Sequence, residues 1–544
     1  MKRNHITLTI AVLFFCSIPI FGIRPERVID SWRPLHYNIS ITLNDSLSEI
    51  TTARADIEVV AVKKLSLVDL DFADLTTDSV SVNGNSVSFT HQNGKLNVPL
   101  PQSVAPGTKI TVSVVYHGKP HDGLILKPDR DGKPSAVGDN WPDRVHYWIP
   151  SFDHPSAKAG VTFHITALSS QLVVANGRLE AVTTNTNNTK TWTYNEAVAI
   201  PAYCMIIAVG DFAKLEATQP SLTPLTYYVS HSDSSYALKG FASASSAVEM
   251  FSQTVAPYPY EKLALIIGAT QFGGMENSSA IVFTQTLFSI KAESKLSQVF
   301  GIPTNIESTV AHEIAHQWFG DSVTESTWAD LWLSEGFATY FAALFIQKYE
   351  GQQAFEKYMT DASETVFKFE KTKPIPIHDR ETEKLFDLLN ANNYQKGAWV
   401  LHMLRARLGN DVFFRAIRSY YQKHKEATAD TDDLREAFEQ ASGKSLRSFF
   451  ARWVYGSGHP QYEVTWRWRP KQKGVEIYLK QSQSSEAFTD PIPVVITTNA
   501  GTMKTDVTPA SKTYVQVVRS SQKPIRVELD PNNTLLKEVV VRSN

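Results

Sequence analysis

His312 and His316 stand four apart in the stretch Val310-Ala311-His312-Glu313-Ile314-Ala315-His316-Gln317-Trp318-Phe319-Gly320. On a helix that spacing puts both imidazoles on one face, a turn apart. Two neutral imidazoles so placed can grip a zinc ion. Glu313 lies roughly 100° round the helix from His312, which suits a base acting on metal-bound water better than a third ligand. The third ligand is expected from Glu335, in Trp332-Leu333-Ser334-Glu335-Gly336-Phe337-Ala338-Thr339-Tyr340, with eighteen residues between it and His316. The gap allows the first helix to end, the chain to turn near Gly320, and a second helix to pass the metal. Ala338, Ala342 and Phe345 continue that second helix at helical spacing. Two histidines and one glutamate leave a fourth position for water, which is the pattern of a catalytic zinc site and not of a structural one. One zinc per chain is therefore expected. The competing reading is a chance His-Glu-x-x-His on a buried helix, and Glu335 argues against it.

Three further stretches carry information: Gly273-Gly274-Met275-Glu276-Asn277, Tyr394-Gln395-Lys396-Gly397-Ala398, and Trp148-Ile149-Pro150-Ser151-Phe152-Asp153-His154-Pro155. Read alone, Glu276 is a strand-end glutamate and Tyr394 an ordinary core or surface tyrosine. Taken with the His-Glu-x-x-His and the later Glu, the set resembles the gluzincin metallopeptidases of the aminopeptidase N family, with the motifs in family order. The resemblance implies a zinc peptidase that releases residues from free amino termini. It implies that Tyr394 stabilises the oxyanion and that Glu276 takes the substrate's amine. Gly273, Gly274, Met275 and Asn277 would then line the substrate, the glycines letting its backbone approach a strand edge. Many relatives add a Gln or Glu from the β domain at the amine. Counting back from Tyr147-Trp148 puts Asp139 or Asn140 there, and Asp139 would serve with a shorter reach. Trp141 either shapes that pocket or packs against the fold. Partners for the histidines' outer nitrogens are expected, with Asp321 and Asp330 nearest in sequence and helix capping an equal prospect for Asp330. Two other functions compete: a zinc hydrolase of the same fold acting on another bond, such as an epoxide, and an inactive binding scaffold. Intact His312, Glu313, His316, Glu335 and Tyr394 argue against the scaffold.

The whole chain fits an exported enzyme. Lys2 and Arg3 precede an apolar run from Ile6 to Phe15, followed by Ser17, Pro19 and Gly22, so residues 1–22 read as a secretory signal. The run is short for a membrane anchor. A periplasmic or secreted location is expected, with no membrane span once the signal is removed. Only Cys16 and Cys204 occur, so the mature chain would keep one cysteine and no internal disulfide. Cys204 sits in an apolar run and reads as a buried strand residue. A formal net charge of −2 gives no electrostatic footprint for nucleic acid. Peptides with a free amino terminus are the expected partners, and the oligomeric state is left open.

At 544 residues several domains are expected. Residues 24–215 alternate as strands do, at Tyr37, Ile39, Ile41 and Leu43 and at Ile110, Val112, Val114 and Tyr116, with Asn83-Gly84 and Asn93-Gly94 as hairpin turns. An antiparallel, largely two-layer β domain follows from this. Gln219-Pro220-Ser221-Leu222-Thr223-Pro224 marks a boundary. Residues 216–455 turn helical and, by the resemblance, form a thermolysin-like, mainly α-helical catalytic domain. Expected there are a helical run opening at Ala247–Phe251, a strand at Leu263–Ile267, and helices at Gly397–Leu408 and Leu434–Ala441, the last with Thr431 as N-cap and Gly443 beyond its end. Gly456-Ser457-Gly458-His459-Pro460 breaks the pattern. Residues 456–544 then alternate at Tyr462, Val464, Trp466 and Trp468 and at Ile525, Val527 and Leu529, as a small β-sandwich would. The overall class is α+β and multidomain. Many relatives carry a further helical domain after such a sandwich. None is expected in this chain, and hence a site open to long substrates.

Overall fold

A computed structural model describes residues 23–218, 223–289 and 306–543. The expected signal segment, residues 1–22, and Gln219–Leu222 of the expected boundary lie outside the described residues.

The N-terminal region is built on an eight-stranded sheet. Alternation works as expected: Tyr37, Ile39 and Ile41 on the strand Trp32–Leu43 point inward and are buried, and their neighbours face outward. Both Asn-Gly pairs form tight hairpin turns, with all four residues at positive φ. The sheet is not wholly antiparallel, however. Trp32–Leu43 runs antiparallel to Ile50–Ala61 but parallel to Ala159–Leu168, with Tyr37 opposite Val161. Between Gly118 and Ala159 the chain leaves this sheet for a four-stranded one and re-enters beside its first strand. That long crossover permits a parallel pair, and alternation of side chains carries no information on strand direction. Cys204 is buried as expected, but it lies in the short 3-10 turn Ala202–Cys204 after Pro201, ahead of the strand Ile207–Gly210.

The second region mixes a five-stranded sheet with helices. Its strands run in the order Ala213–Glu216, Leu225–Val229, Leu263–Gly268, Ala280–Thr284 and Gly274–Met275, so Gly274 and Met275 form an edge. The helices that matter for the site are Ile306–His316, Trp332–Tyr349, Gln352–Glu370 and Gly397–Leu408. The helix expected to open at Ala247 spans Ser243–Thr254. The helix Thr431–Ser442 is capped by Asp430 and not by Thr431, in a capping box with Asp433, and Gly443 closes it at φ +66°. Thr431 is engaged elsewhere: its hydroxyl donates to Asp330 at 2.7 Å and accepts from the Trp332 indole at 2.9 Å. Among the described residues no helix is long and apolar enough to cross a membrane.

The last region packs a four-stranded sheet against a three-stranded one. Tyr462 and Val464 point into the sandwich, while Ile525 falls before its expected strand, which is Arg526–Leu529, and is exposed. The sandwich shares a continuous core with the helical region, and a separate cluster of buried side chains joins the N-terminal region to the five-stranded sheet.

Candidate active site

The helix Ile306–His316 presents both histidines to one cavity, as their spacing requires. The chain then turns at Gly320, where φ is +124° and a Cβ would lie 2.4 Å from the Ser334 hydroxyl. The helix Trp332–Tyr349 brings Glu335 to the histidines. His312 Nε2 and His316 Nε2 are 3.1 Å apart, and each is 3.3 Å from Glu335 Oε2. A tetrahedral zinc with bonds of about 2.0–2.1 Å has ligand atoms about 3.3 Å apart, so this triangle fits the ion. Glu335 Oε2 is buried and, among the described residues, has no hydrogen-bond partner, as an atom reserved for a metal would be. Burial opposes both charges, yet the His316 imidazole is pushed up to about 10 by Glu335 and Glu276. Against the same burial, His316 and His312 drive Glu335 down to about 2.

The expected second-layer aspartates do not reach the imidazoles. His316 Nδ1 faces the Phe319 carbonyl at 3.1 Å and the Ser334 hydroxyl at 3.0 Å. A proton on Nδ1 donated to that carbonyl leaves Nε2 free for the metal. Asp321 accepts instead from Gln317 and from the Cys204 thiol. Asp330 accepts from the backbone and hydroxyl of Thr431, at the start of another helix. Burial pushes the Cys204 thiol well up, which suits a packing residue and not a nucleophile.

Glu313 points into the cavity beside the histidines. Gly274 on the sheet edge passes directly over it, where a Cβ would come within 2.4 Å of the Glu313 carboxyl. Glu276 follows at the end of that edge. Its carboxylate, that of Glu313 and a nitrogen of His316 lie within 4.8 Å of one another. Burial pushes Glu276 up to about 7, with Glu335 adding to the rise and His316 opposing it. Burial likewise pushes Glu313 well above the usual carboxylate range. Two acidic groups are thus held in a dry, crowded space where an arriving cation would relieve their repulsion.

Tyr394 sits in the π-helical turn Asn392–Lys396 that leads into the helix Gly397–Leu408. Its hydroxyl donates to Glu335 Oε1 at 2.7 Å, and its ring lies parallel to that of His312 with centroids 6.0 Å apart. The structure therefore gathers His312, His316, Glu335, Glu313, Tyr394, Gly273, Gly274, Met275 and Glu276 around one cavity of about 860 Å³ including its mouth.

Two expected substrate contacts lie elsewhere. Asp139 is fully buried and does not line the cavity; it pairs with Arg144 at 3.1 Å and accepts from Gln271 N at 2.9 Å. Asn140 is buried too, accepting from the Trp148 indole at 2.8 Å. The β-domain residue that does reach the cavity is Trp141, edge-on to Phe272 at 6.1 Å and to Trp328 at 5.7 Å. Asn277 also stays off the cavity wall, its amide folding back toward the Met275 carbonyl. Phe272, Thr339, Tyr358 and Leu389 line the wall without having been singled out from the sequence. None of them belongs to a charged or metal-ligating pattern.

The chain matches the Peptidase M1 N-terminal domain over residues 33–204 and the Peptidase family M1 domain over residues 241–453. It belongs to the M1, or aminopeptidase N, family of zinc metallopeptidases. It is similar to Aminopeptidase 2 of Candida albicans, 25% identical over 79% of this chain and 48% of the relative. Probable aminopeptidase 1 of Sulfurisphaera tokodaii is 28% identical over 73% of this chain and 50% of the relative. Aminopeptidase M1 of Arabidopsis thaliana is 26% identical over 83% and 52%. The chain spans about half the length of these curated relatives.

Proposed function

We propose that this chain is a zinc-dependent aminopeptidase that releases residues one at a time from the free amino termini of peptides. The observation that carries the reading is the buried Glu276 carboxylate beside Glu313 and the histidine–glutamate triangle, all on one cavity. A carboxylate so close to the reacting centre leaves room for one residue's worth of peptide before the chain must end.

His312, His316 and Glu335 would hold the zinc, which when bound supplies Lewis acidity to the carbonyl and acidity to a water. The protein's own groups do the rest. Glu276 takes the substrate ammonium, and a charge-assisted contact in this buried place orients the first peptide bond. The bare edge at Gly273 and Gly274 lets the substrate backbone lie against the strand. Glu313 removes a proton from the attacking water and delivers it to the departing amine. The Tyr394 hydroxyl, already beside Glu335, can donate to the carbonyl oxygen as negative charge develops there.

The reading is tested with an aminoacyl anilide and its N-acetylated counterpart. The expected result is strong preference for the free amine. Glu276→Ala should remove about 2–4 kcal/mol of transition-state binding for the free-amine substrate alone, as loss of one partner of a buried charged pair does. Efficient cleavage of acetylated peptides at internal bonds would reject the reading.

A further inference from the structure

Gln317 follows the second histidine of the zinc triangle and is completely buried. A carboxamide offers two donor protons and an oxygen with two lone pairs, and in Gln317 every one is engaged. Nε2 donates to the Glu276 carbonyl at 2.7 Å and to Asp321 Oδ2 at 2.9 Å. Oε1 accepts from the Ser279 backbone at 2.8 Å and from the Tyr258 hydroxyl at 2.8 Å. Two of these four partners are backbone groups of residues 276–279, the segment that carries the Glu276 carboxylate.

The same segment is gripped from its other side. Asn176 Nδ2 donates to the Ser278 carbonyl at 2.7 Å, Gly177 N to the Ser279 hydroxyl at 2.7 Å, and Lys262 Nζ to the Ser279 carbonyl at 2.7 Å. Ser279 is held at φ +61°, a left-handed conformation that non-glycine residues adopt only where surrounding contacts enforce it. Asp321, one of the two other partners of Gln317, is itself fixed by the Cys204 thiol at 3.3 Å. The Gln317 amide is thus a rigid strut between the backbone of Glu276 and the helix end that carries His316.

We propose that Gln317 is a positioning residue that sets the separation between the amino-group anchor at Glu276 and the zinc-binding histidines, and so decides which peptide bond is cut. This inference deepens the aminopeptidase reading and rests on it. Successive peptide bonds of an extended substrate are about 3.3–3.6 Å apart, and a misplacement of about 1 Å at a reacting centre can cost on the order of a hundredfold. An anchor free to drift by a fraction of a residue would therefore lose both rate and discrimination. Gln317 touches neither the cavity nor the zinc triangle, so it acts through Glu276.

Two variants test it. Gln317→Met keeps length and bulk but removes all four hydrogen bonds. Tyr258→Phe removes one and leaves the rest. For each, zinc content, Tm, and kcat/KM on an aminoacyl anilide and on the same anilide lacking the amine are measured. Gln317→Met should keep one zinc per chain and lose about 10–100-fold on the free-amine substrate, a range usual for groups one layer behind a site. The amine-free substrate, which does not use the anchor, should lose far less, so the ratio between the two shrinks. Tyr258→Phe should shrink it in the same direction by about two- to tenfold, as loss of one buried hydrogen bond does. A purely structural role would lower both substrates alike. If Gln317→Met does not fold, Tyr258→Phe decides. A ratio that stays at the wild-type value in the folded variants overturns the inference, whereas a wild-type ratio near one overturns the aminopeptidase reading and this inference with it.

Discussion

Gly336 and Gly397 touch where their helices cross: a Cβ on either would come within 2.9 Å of the other's Cα. Gly336 follows Glu335, and Gly397 lies three residues after Tyr394. The contact therefore sets the 2.7 Å approach of the Tyr394 hydroxyl to Glu335. Backbone against backbone leaves nothing flexible to yield. Gly336→Ala and Gly397→Ala should each destabilise the fold by about 1–3 kcal/mol, the usual cost of overpacking. Activity of the folded fraction should fall as well, because the tyrosine and the ligand are pushed apart. Denaturant melts paired with kcat check both effects, and a fully active, fully stable alanine variant would show that the crossing has slack.

If Glu313 is the base proposed above, Glu313→Gln should retain zinc and lose about 10²–10⁴ in kcat, because it removes the base and no ligand. The Gly274 edge adds a companion test. A methyl group there would press on the Glu313 carboxyl from 2.4 Å, so Gly274→Ala should also lower turnover with zinc retained. Elemental analysis beside initial rates separates these outcomes from metal loss.

Tyr394→Phe should cost about 10²–10³ in kcat with a smaller change in KM, as expected when a donor to a developing oxyanion is removed. The ring's stacking on His312 survives in phenylalanine, so zinc content should not change. Normal kcat in the variant would make the hydroxyl a structural partner of Glu335 only.

Acid should weaken the support beneath Tyr394. Lys396, two residues on, is buried and donates to Glu370 Oε1 at 2.6 Å and to the Gly458 carbonyl at 3.0 Å; His459 binds the other Glu370 oxygen and reaches Glu538 at 3.1 Å. Burial would raise the Glu370 carboxyl, but Lys396 and His459 hold it below the usual range. A carboxyl depressed on folding contributes stability above its unfolded value, about 4.3 for glutamate, and loses it as pH falls through the folded value. Glu370→Gln should therefore lower Tm near neutral pH and flatten its decline in acid. Melts at a series of pH values test this, and parallel curves for the two proteins would refute it.

The meeting of His312, His316 and Glu335 was legible because helical spacing fixes a face with little ambiguity, so two histidines four apart had to share one. Tyr394 and Glu276 needed motif context, since neither residue type announces its surroundings. Asp139 pairs with Arg144 while Trp141, two steps along the same loop, lies on the cavity wall, and loop residues follow no period that would say which faces the cavity. The parallel pairing of Trp32–Leu43 with Ala159–Leu168 was hidden for a related reason: alternation reveals a buried face but not a neighbour. Asp430 caps that helix because Thr431 is taken up by a tertiary contact to Asp330, 101 residues away in the chain. Gln317 carried a faint signal, a polar residue beside a ligand on an otherwise apolar helix end, but its four partners come from three separate stretches and only folding collects them.

The buried cluster that joins the first region to the second has a consequence for synthesis. Val137, Trp141, Tyr203 and Ile206 find their cover in Ile266, Met275, Val282, Trp328 and Leu388. During translation the N-terminal β region emerges complete while that cover does not yet exist. At about 5–20 residues per second, roughly ten to thirty seconds pass before Leu388 is made. Through that interval the apolar face of Val137, Trp141, Tyr203 and Ile206 has been made but its cover from the second region has not.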